Sequence, residues 1–266
     1  MRATSPHTTE SAFARNAMGP SRRHIRVRLR DERAGRSAGG SQPATGLVRS
    51  GRYPSQMYIP PHFAAGDPED VAAFVDQVGA ADLVTSDGSR LVATLLPVIW
   101  ERSATAGEHG RLLGHMALAN PQWASAAEQM PGLAIVHGPQ AYISPSWYPS
   151  AREHGRAVPT WNYTTVHFTG PVRFHRDAQW LRDVVTRLTD AHEDGREGRW
   201  WVTDAPEAFI DGQLSAIVGV EMVITSVEAK DKLSQNRPPQ DRAAVIEALR
   251  AEPDPGAHAI AGLMNS

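Results

Sequence analysis

The residues best suited to hold a ligand are concentrated between Gly138 and Tyr163, where aromatic rings, prolines and small hydroxyl side chains are mixed. Aromatic rings with a polar edge offer flat stacking surfaces, and short polar side chains orient a bound molecule. Four prolines remove backbone donors, so we expect rigid loops here rather than a regular helix. The stretch predicts a site for a planar, partly polar ligand, although the same aromatic residues could simply form core. The residues predicted to shape this site are Ser144, Trp147, Tyr148, Thr160, Trp161 and Asn162.

A second polar segment, Lys232–Arg237, ends at two prolines. Its two cations and three uncharged polar side chains could hold a phosphate or a carboxylate group, with Lys232 and Gln235 as the predicted contacts. The alternative is an ordinary solvated loop.

His115 lies between apolar residues, shortly before a turn predicted at Asn120 and Pro121. A histidine in such surroundings could ligate iron, donate a hydrogen bond to a cofactor or act as an acid or base near neutral pH. The alternative is a structural histidine. No two histidines have the spacing of metal ligands, and the absence of cysteine excludes thiolate zinc sites, iron–sulfur clusters and thiolate-bound haem.

Charge divides the 266-residue chain into two parts. Residues 1–56 contain 11 arginines against three acidic residues, whereas the remainder carries a net charge of −10. We predict that residues 1–56 are a disordered basic extension, which could touch nucleic acid, act as a transit peptide or result from a misassigned start codon before Met57. Residues 57–250 are predicted to form the folded domain, and residues 251–266 a C-terminal tail. No apolar run approaches the ~20 residues that span a bilayer, so we expect a cytoplasmic protein without a membrane partner.

The hydrophobic pattern predicts several strands with helices interspersed among them. Asp67 to Gly79 is typical of a capped helix, and Leu83 to Trp100 of a β-hairpin that turns at residues 87–88. Further predicted strands are 111–119, 133–137, 164–174 and a single core strand, 216–227; further helices begin at Asp177, Pro206 and Asp241. Because a regular βαβ rhythm is missing, the pattern favours a mainly β or α+β domain, such as a β-barrel.

Several of these segments together resemble the PaiB family of FMN-binding negative transcriptional regulators. The matching segments, in family order, are MYIPP from Met57, TLLP from Thr94, GHMALANPQW from Gly114, Gly138–Tyr148, VPTWNY from Val158, IVGVE from Ile217 and KLSQNR from Lys232. They cover about residues 57–250.

This resemblance implies a split β-barrel with peripheral helices that forms a homodimer, with FMN bound where the subunits meet. It adds Thr94, His115 and Asn120 to the predicted cofactor contacts, and it implies DNA as a partner. Two residues depart from the family pattern: Leu118 replaces an arginine and Leu95 replaces a histidine. We expect these departures to weaken the binding of an anionic cofactor group or a catalytic role, and a member of the fold without a cofactor is a further alternative.

A related branch of the fold binds haem through a histidine that matches His115. That branch forms the N–N bond of piperazate from N-hydroxyornithine. The intact YISPSWY and KLSQNR segments resemble the regulator branch more closely. A haem-dependent enzyme with His115 as the iron ligand is therefore the alternative prediction.

Overall fold

The computed structural model describes residues 57–265, apart from residues 87, 104 and 125–128. The predicted basic extension lies outside the described residues. The strands are β1 (Ala80–Ser86), β2 (Leu91–Glu101), β3 (Arg111–Ala117), β4 (Met130–Ile143), β5 (Thr160–His175), β6 (Ile217–Val223) and β7 (Ser226–Lys232). The helices are α1 (Pro68–Val78), α2 (Pro149–His154), α3 (Ala178–Glu193), α4 (Glu207–Ser215), α5 (Pro239–Ala251) and α6 (Pro255–Asn265). Short 3-10 turns lie at Pro61–Phe63, Pro145–Trp147 and Val202–Asp204.

Local sequence signals fix the first helix and the first hairpin. The Asp67 side chain accepts a hydrogen bond from the Glu69 amide at 2.8 Å, and Gly79 ends α1 in the left-handed region with φ 62°. An aspartate cap satisfies a free amide at the helix start, and glycine adopts positive φ without steric cost. The predicted helix and the β1–β2 hairpin are both confirmed.

The strands form one antiparallel sheet that closes on itself. Its order is β4-β1-β2-β3-β6-β5-β7, and an additional pairing of β4 with β5 completes a ring. β5 pairs with β4 along one edge, and its other edge is shared by β7 at Tyr163–Thr169 and β6 at Val172–His175. The ring therefore opens between β6 and β7, which makes the domain a split β-barrel with peripheral helices, as predicted.

Apolar side chains fill the barrel and the spaces under the helices. The barrel interior includes Val136, Val166, Phe168, Val218 and Met222, all with at most 1% of their surface exposed. α3 packs on the outside of β3 through a separate cluster of Leu113, Val184 and Leu188.

The predicted single strand 216–227 is wrong, because the chain reverses direction between β6 and β7. The turn is held by the Thr225 amide, which donates to the Thr169 carbonyl at 2.8 Å. A Cβ atom at position 170 would overlap the Val223 backbone, so Gly170 allows the turn to approach β5. The hydrophobic pattern does not reveal such a turn, because Met222 and Ile224 are buried before it and Val227 packs against the same core after it.

The stretch 138–163 is more regular than the predicted rigid loops. Residues 138–143 continue β4, residues 160–163 begin β5, and α2 occupies 149–154. Pro149 takes the first turn of α2, where its missing amide has no helical acceptor to lose. Proline therefore starts this helix instead of preventing it.

The segment predicted as a C-terminal tail contains α6. Ile260, Ala261 and Met264 are buried against α5 and the end of β4. The folded part of the chain therefore extends past residue 250 to residue 265. Among the described residues, no helix has the length and apolar content needed to cross a membrane.

Candidate functional site

A small cationic cavity lies where β5 begins and β7 ends. Lys232 is the last residue of β7 and pairs with Tyr163 of β5. Ser234 follows with φ 61°, so the chain turns sharply and brings residues 236–237 back towards the strand ends. We call this cavity, of about 120 Å³, the Lys232 pocket. Its lining residues are Phe63, Tyr148, Thr160, Asn162, Lys232, Ser234, Asn236 and Arg237.

Within the described part of the chain, the Lys232 ammonium group is bound by neutral oxygens. It donates to Thr160 Oγ1 and to the Trp161 carbonyl, each at 2.5 Å. Burial lowers the pKa of Lys232, and the nearby cations Lys230 and Arg237 lower it further. The charged form of Lys232 is thus destabilised by its surroundings, and an anion placed in the pocket would relieve this destabilisation.

Tyr148 forms the wall of the pocket opposite the strand ends. Its side chain is fully buried, yet its hydroxyl has no hydrogen-bond partner among the described residues, and the Arg237 guanidinium lies 4.6 Å from the centre of its ring. A buried hydroxyl without a partner costs about 1–3 kcal/mol, so a ligand oxygen that accepts its proton would be stabilised there.

Asn162 has a structural role beside these groups. It is fully buried, and its side-chain nitrogen lies 3.1 Å from Ser234 Oγ and 3.4 Å from Met264 Sδ. The hydrogen bonds fix the left-handed turn at Ser234 and connect it to α6. Gln235 acts in the same loop, because its side chain accepts from the Leu233 amide at 2.7 Å and donates to the Asp231 carbonyl at 2.5 Å.

The size and charge of the Lys232 pocket suit an anionic group. Pockets that enclose a whole small-molecule ligand measure roughly 300–1,000 Å³, so this cavity admits a phosphate or carboxylate but not an attached ring system. Two exposed aromatic rings lie on the paired ends of β4 and β5: Trp161 and Tyr142 are 45% and 48% exposed, with ring centres 6.2 Å apart in an edge-to-face arrangement. Trp161 also lies on the same face of β5 as Tyr163, the partner of Lys232.

Two of the predicted aromatic-loop residues lie in a different cavity. Ser144 and Trp147 line a space of about 340 Å³ together with Glu252 and Asp254. Carboxylates at this wall make it unfavourable for a phosphate. The structure therefore separates Ser144 and Trp147 from Tyr148, which follows them directly in the chain.

Thr94 and Asn120 form a polar network elsewhere on the barrel. The Thr94 hydroxyl donates to Gln122 Oε1 at 2.5 Å and accepts from Asn120 Nδ2 at 3.0 Å. Thr94 pairs with Leu83 of β1, Leu83 pairs with Ala134 of β4, and Ala134 pairs with Phe168 of β5. Thr94 and Phe168 therefore lie at the same position along the strand direction. Phe168 is eight residues from Thr160, or about 26 Å along a strand, so one chain does not bring this network to the Lys232 pocket.

His115 lies on the outer face of the barrel, under α3. It pairs with Gly219, and a Cβ atom at Gly219 would overlap the Trp180 indole, so α3 covers this part of the sheet. Burial lowers the pKa of His115, and no residue that the structure describes forms a hydrogen bond with its buried Nδ1. His115 is therefore a half-buried, predominantly neutral imidazole, and it lies on a different side of the barrel from Lys232.

Two features were not predicted from the sequence: the contact of the Arg237 guanidinium with the Tyr148 ring, and the position of Asp231 in a cavity. The Arg237–Tyr148 contact joins residues 89 positions apart, and no local pattern encodes it. Asp231 was missed because β7 was not recognised. The alternation of Val227, Ala229 and Asp231 with Lys230 and Lys232 is the signal that would have revealed this strand.

The chain is similar to known proteins over most of its length. Residues 57–226 match the family model described as "Putative FMN-binding domain". The chain is 34% identical over 209 residues to "Protease synthase and sporulation protein PAI 2" of Bacillus subtilis, covering 78% of this chain and 96% of that protein. It is also 29% identical over 175 residues to the uncharacterized protein AN0679 of Emericella nidulans, covering 56% and 70% of the two chains.

Among solved structures, the chain is similar to an FAD and haem binding protein from Mycobacterium smegmatis. The TM-score is 0.48 at 16% identity, over 68% of this chain and 78% of that one. The flavocytochrome Anf3 from Azotobacter vinelandii has a TM-score of 0.46 at 14% identity, over 68% and 75% of the two chains.

Proposed function

Since the chain belongs to the PaiB family of FMN-binding domain proteins, we propose that it binds FMN with the phosphate group in the Lys232 pocket. The observation that carries this proposal is the half-buried Lys232 ammonium, which lines the cavity together with Arg237 and donates to the neutral oxygens of Thr160 and Trp161. A phosphate would supply the missing negative charge, and Arg237 would provide a second cation at the same cavity.

The Tyr148 hydroxyl supports the same assignment. It is buried beside this cavity without a partner, and a phosphate oxygen could accept its hydrogen bond. The isoalloxazine ring is too large for the cavity and would lie outside it, against the exposed indole of Trp161. Bound FMN would supply a ring that accepts and returns electrons. Thr160 and the Trp161 carbonyl would keep Lys232 oriented towards the phosphate.

A homodimer would complete this site. A ring lying on Trp161 is open to solvent on its other face in a single chain, and a second copy could cover it. The exposed apolar side chains of β2, Leu91 at 75% and Leu95 at 65%, offer a surface for such an interface. If so, the sequence departure at Leu95 serves subunit contact, and Leu95→Glu should convert the dimer to a monomer in light-scattering measurements, with weakened FMN binding.

The regulatory part of the proposal is negative regulation of transcription, and it rests on family membership. Residues 57–266 carry a net charge of −10, which disfavours broad contact with the DNA backbone. Sequence-specific binding in a gel-shift assay at physiological salt would support regulation through DNA. Binding that disappears at that salt concentration, or that requires residues 1–56 alone, would contradict it. The cytoplasmic location stays a prediction.

The first experiment is an optical titration of the full chain with FMN, with riboflavin and with haemin. Riboflavin carries the same ring without the phosphate, so it is the matched control for the Lys232 pocket. We expect FMN to bind about 10- to 100-fold more tightly than riboflavin, as charge-assisted hydrogen bonds contribute about 1.5–3 kcal/mol. Equal affinities would contradict the phosphate assignment. A sharp Soret band with haemin that is lost in His115→Ala would favour the haem enzyme instead.

A further inference from the structure

A long groove lies between α1 and β7, on the opposite side of β7 from Lys232. It consists of two cavities, of about 480 and 360 Å³, that share Ala65, Gly66, Val71 and Ala229 as lining residues. We call it the α1–β7 groove. Its volume lies in the range of pockets that enclose a small organic molecule, unlike that of the Lys232 pocket.

Apolar side chains line most of the groove. Val71 and Phe74 of α1 face Val166 of β5 and Leu233, and Trp100 lies at the far end. The Trp100 indole nitrogen is already bound to the His109 carbonyl at 2.9 Å, so it presents an apolar ring. Arg102, Glu108 and His109 also line this far half, so the apolar lining is most continuous along Val71, Phe74, Val166 and Leu233.

Two carboxylates interrupt this apolar lining at one end. Asp70 projects from the first turn of α1, and Asp231 projects from β7 opposite Thr164. Burial raises the pKa of Asp231, and the charge of Asp70 raises it further, while the Thr164 hydroxyl opposes the change. The charge of Asp70 thus increases the cost of ionising Asp231.

The neighbouring cations do not neutralise this end of the groove. Lys230 and Lys232 flank Asp231 but lie on the other face of β7, where their ammonium groups donate to the Tyr58 carbonyl and to Thr160 Oγ1. Arg102, in the other half of the groove, forms a two-bonded ion pair with Asp76 at 2.6 and 3.1 Å. The carboxylate end therefore keeps an excess of negative charge.

We propose that the α1–β7 groove binds a small apolar molecule that carries one ammonium group. The ammonium would lie between Asp70 and Asp231, and the apolar part would extend over Val71 and Phe74 towards Trp100. This charge excludes a phosphate from the groove, so the site is separate from the proposed FMN site.

Calorimetric titration of the full chain with n-octylamine hydrochloride tests this proposal. 1-Octanol and sodium nonanoate are the matched probes, because each carries the same octyl chain with a neutral or an anionic head group in place of the ammonium. We expect the amine to bind at least about tenfold more tightly than either probe. Equal binding of the amine and the alcohol would overturn the proposal, since the carboxylates would then have no role in recognition.

Matched variants show which of the two carboxylates contributes to binding of the amine. Asp231→Asn keeps the side-chain shape and should lower the amine affinity about tenfold or more, and Asp70→Asn, at an exposed position, should lower it several-fold. Glu69→Gln changes a neighbouring charge on α1 outside the groove and should leave the affinity within about twofold. An unchanged affinity in both aspartate variants would overturn the assignment. FMN affinity serves as the control for folding, and Asp70→Asn provides an independent test if Asp231→Asn disturbs β7.

Discussion

The two faces of β7 present opposite charges to two different cavities. Lys230 and Lys232 lie on one face, and Asp231 lies between them on the other. Strand alternation alone produces this separation, because successive side chains point to opposite sides of a sheet. Three consecutive charged residues that could neutralise one another in a flexible loop are kept apart in the folded strand.

The two faces also share a feature. Burial lowers the pKa of Lys232 and raises the pKa of Asp231, so each residue is shifted towards its neutral form. In both cases the nearby charge has the same sign as the residue: Arg237 and Lys230 for Lys232, and Asp70 for Asp231. Fold stability alone does not favour such arrangements, and a ligand of opposite charge would be stabilised by each.

The two cavities differ in local charge as well as in volume. The larger space is apolar and acidic, and the smaller one is cationic. A phosphate-bearing ligand is therefore expected at the smaller cavity. Variants on each face of β7 test whether the two cavities bind their ligands independently.

The largest expected effect is that of Lys232→Gln on FMN binding. Removal of the charged donor should lower FMN affinity about 10- to 100-fold, while riboflavin affinity should change less than about threefold. Optical titration of both ligands measures the difference. Arg250→Gln, at an exposed position in α5, is the control for a general loss of positive charge. An equal decrease for FMN and riboflavin would mean that Lys232 contacts the ring or supports the fold.

A smaller effect is expected from Tyr148→Phe, which removes only the buried hydroxyl. FMN affinity should fall by up to about tenfold, because a neutral hydrogen bond contributes about 0.5–1.5 kcal/mol. The free energy of unfolding without FMN should stay equal or increase, since the hydroxyl is buried without a partner. Denaturant unfolding with and without FMN separates the two outcomes, and Tyr142→Phe, at a 48% exposed ring, is the control. A loss of stability in the free protein would show that the hydroxyl has another partner.

Local signals in the sequence were sufficient for the parts of the fold that depend on neighbouring residues. The Asp67 cap, Gly79 and the α3 start at Asp177 were all predicted and are confirmed. Capping works because the side chain satisfies amides two or three residues away, so the whole interaction is contained in a short window.

Long-range packing explains the errors. The turn between β6 and β7 depends on Gly170, which is more than 50 residues away, and α6 is stabilised by its contacts with α5 and β4. The site shows the same limit. Thr160, Asn162 and Lys232 were predicted and lie together, but the Arg237–Tyr148 contact depends on tertiary structure. Thr94, His115 and Ser144 came from sequence motifs, which do not state the distance between their residues.

A pH-dependent effect is expected from Asp231→Asn in the protein without ligand. Because the folded state raises the pKa of Asp231, it holds the proton more tightly than the unfolded chain. The contribution of Asp231 to the free energy of unfolding is therefore fully present below the pKa of an ordinary carboxyl group. It is lost as the pH rises through the raised pKa of the folded state. The variant should remove this fall and be more stable than the parent at neutral pH, with FMN affinity within about twofold. Thermal unfolding between pH 4 and 8 measures it, with Glu69→Gln as control. A variant that is less stable at neutral pH would show that the carboxylate has a favourable partner.

The smallest effect is expected from His115→Gln, which lies on neither face of β7. Burial lowers the pKa of His115, so the folded protein binds fewer protons than the unfolded chain near pH 6. The contribution of His115 to stability is present above its ordinary pKa of about 6.5 and is lost as pH falls through the lower folded value. The variant should show a shallower loss of stability on acidification, whereas His62→Gln, at an exposed position, should retain the slope of the parent. FMN affinity should be unchanged within about twofold, because α3 and Trp180 cover the sheet at Gly219, opposite His115. If His115→Gln instead lowered FMN affinity tenfold while the Lys232 variant did not, the flavin would have to bind at the β3–β6 side of the barrel, beside α3, and the contrast between the two faces of β7 would no longer explain ligand binding.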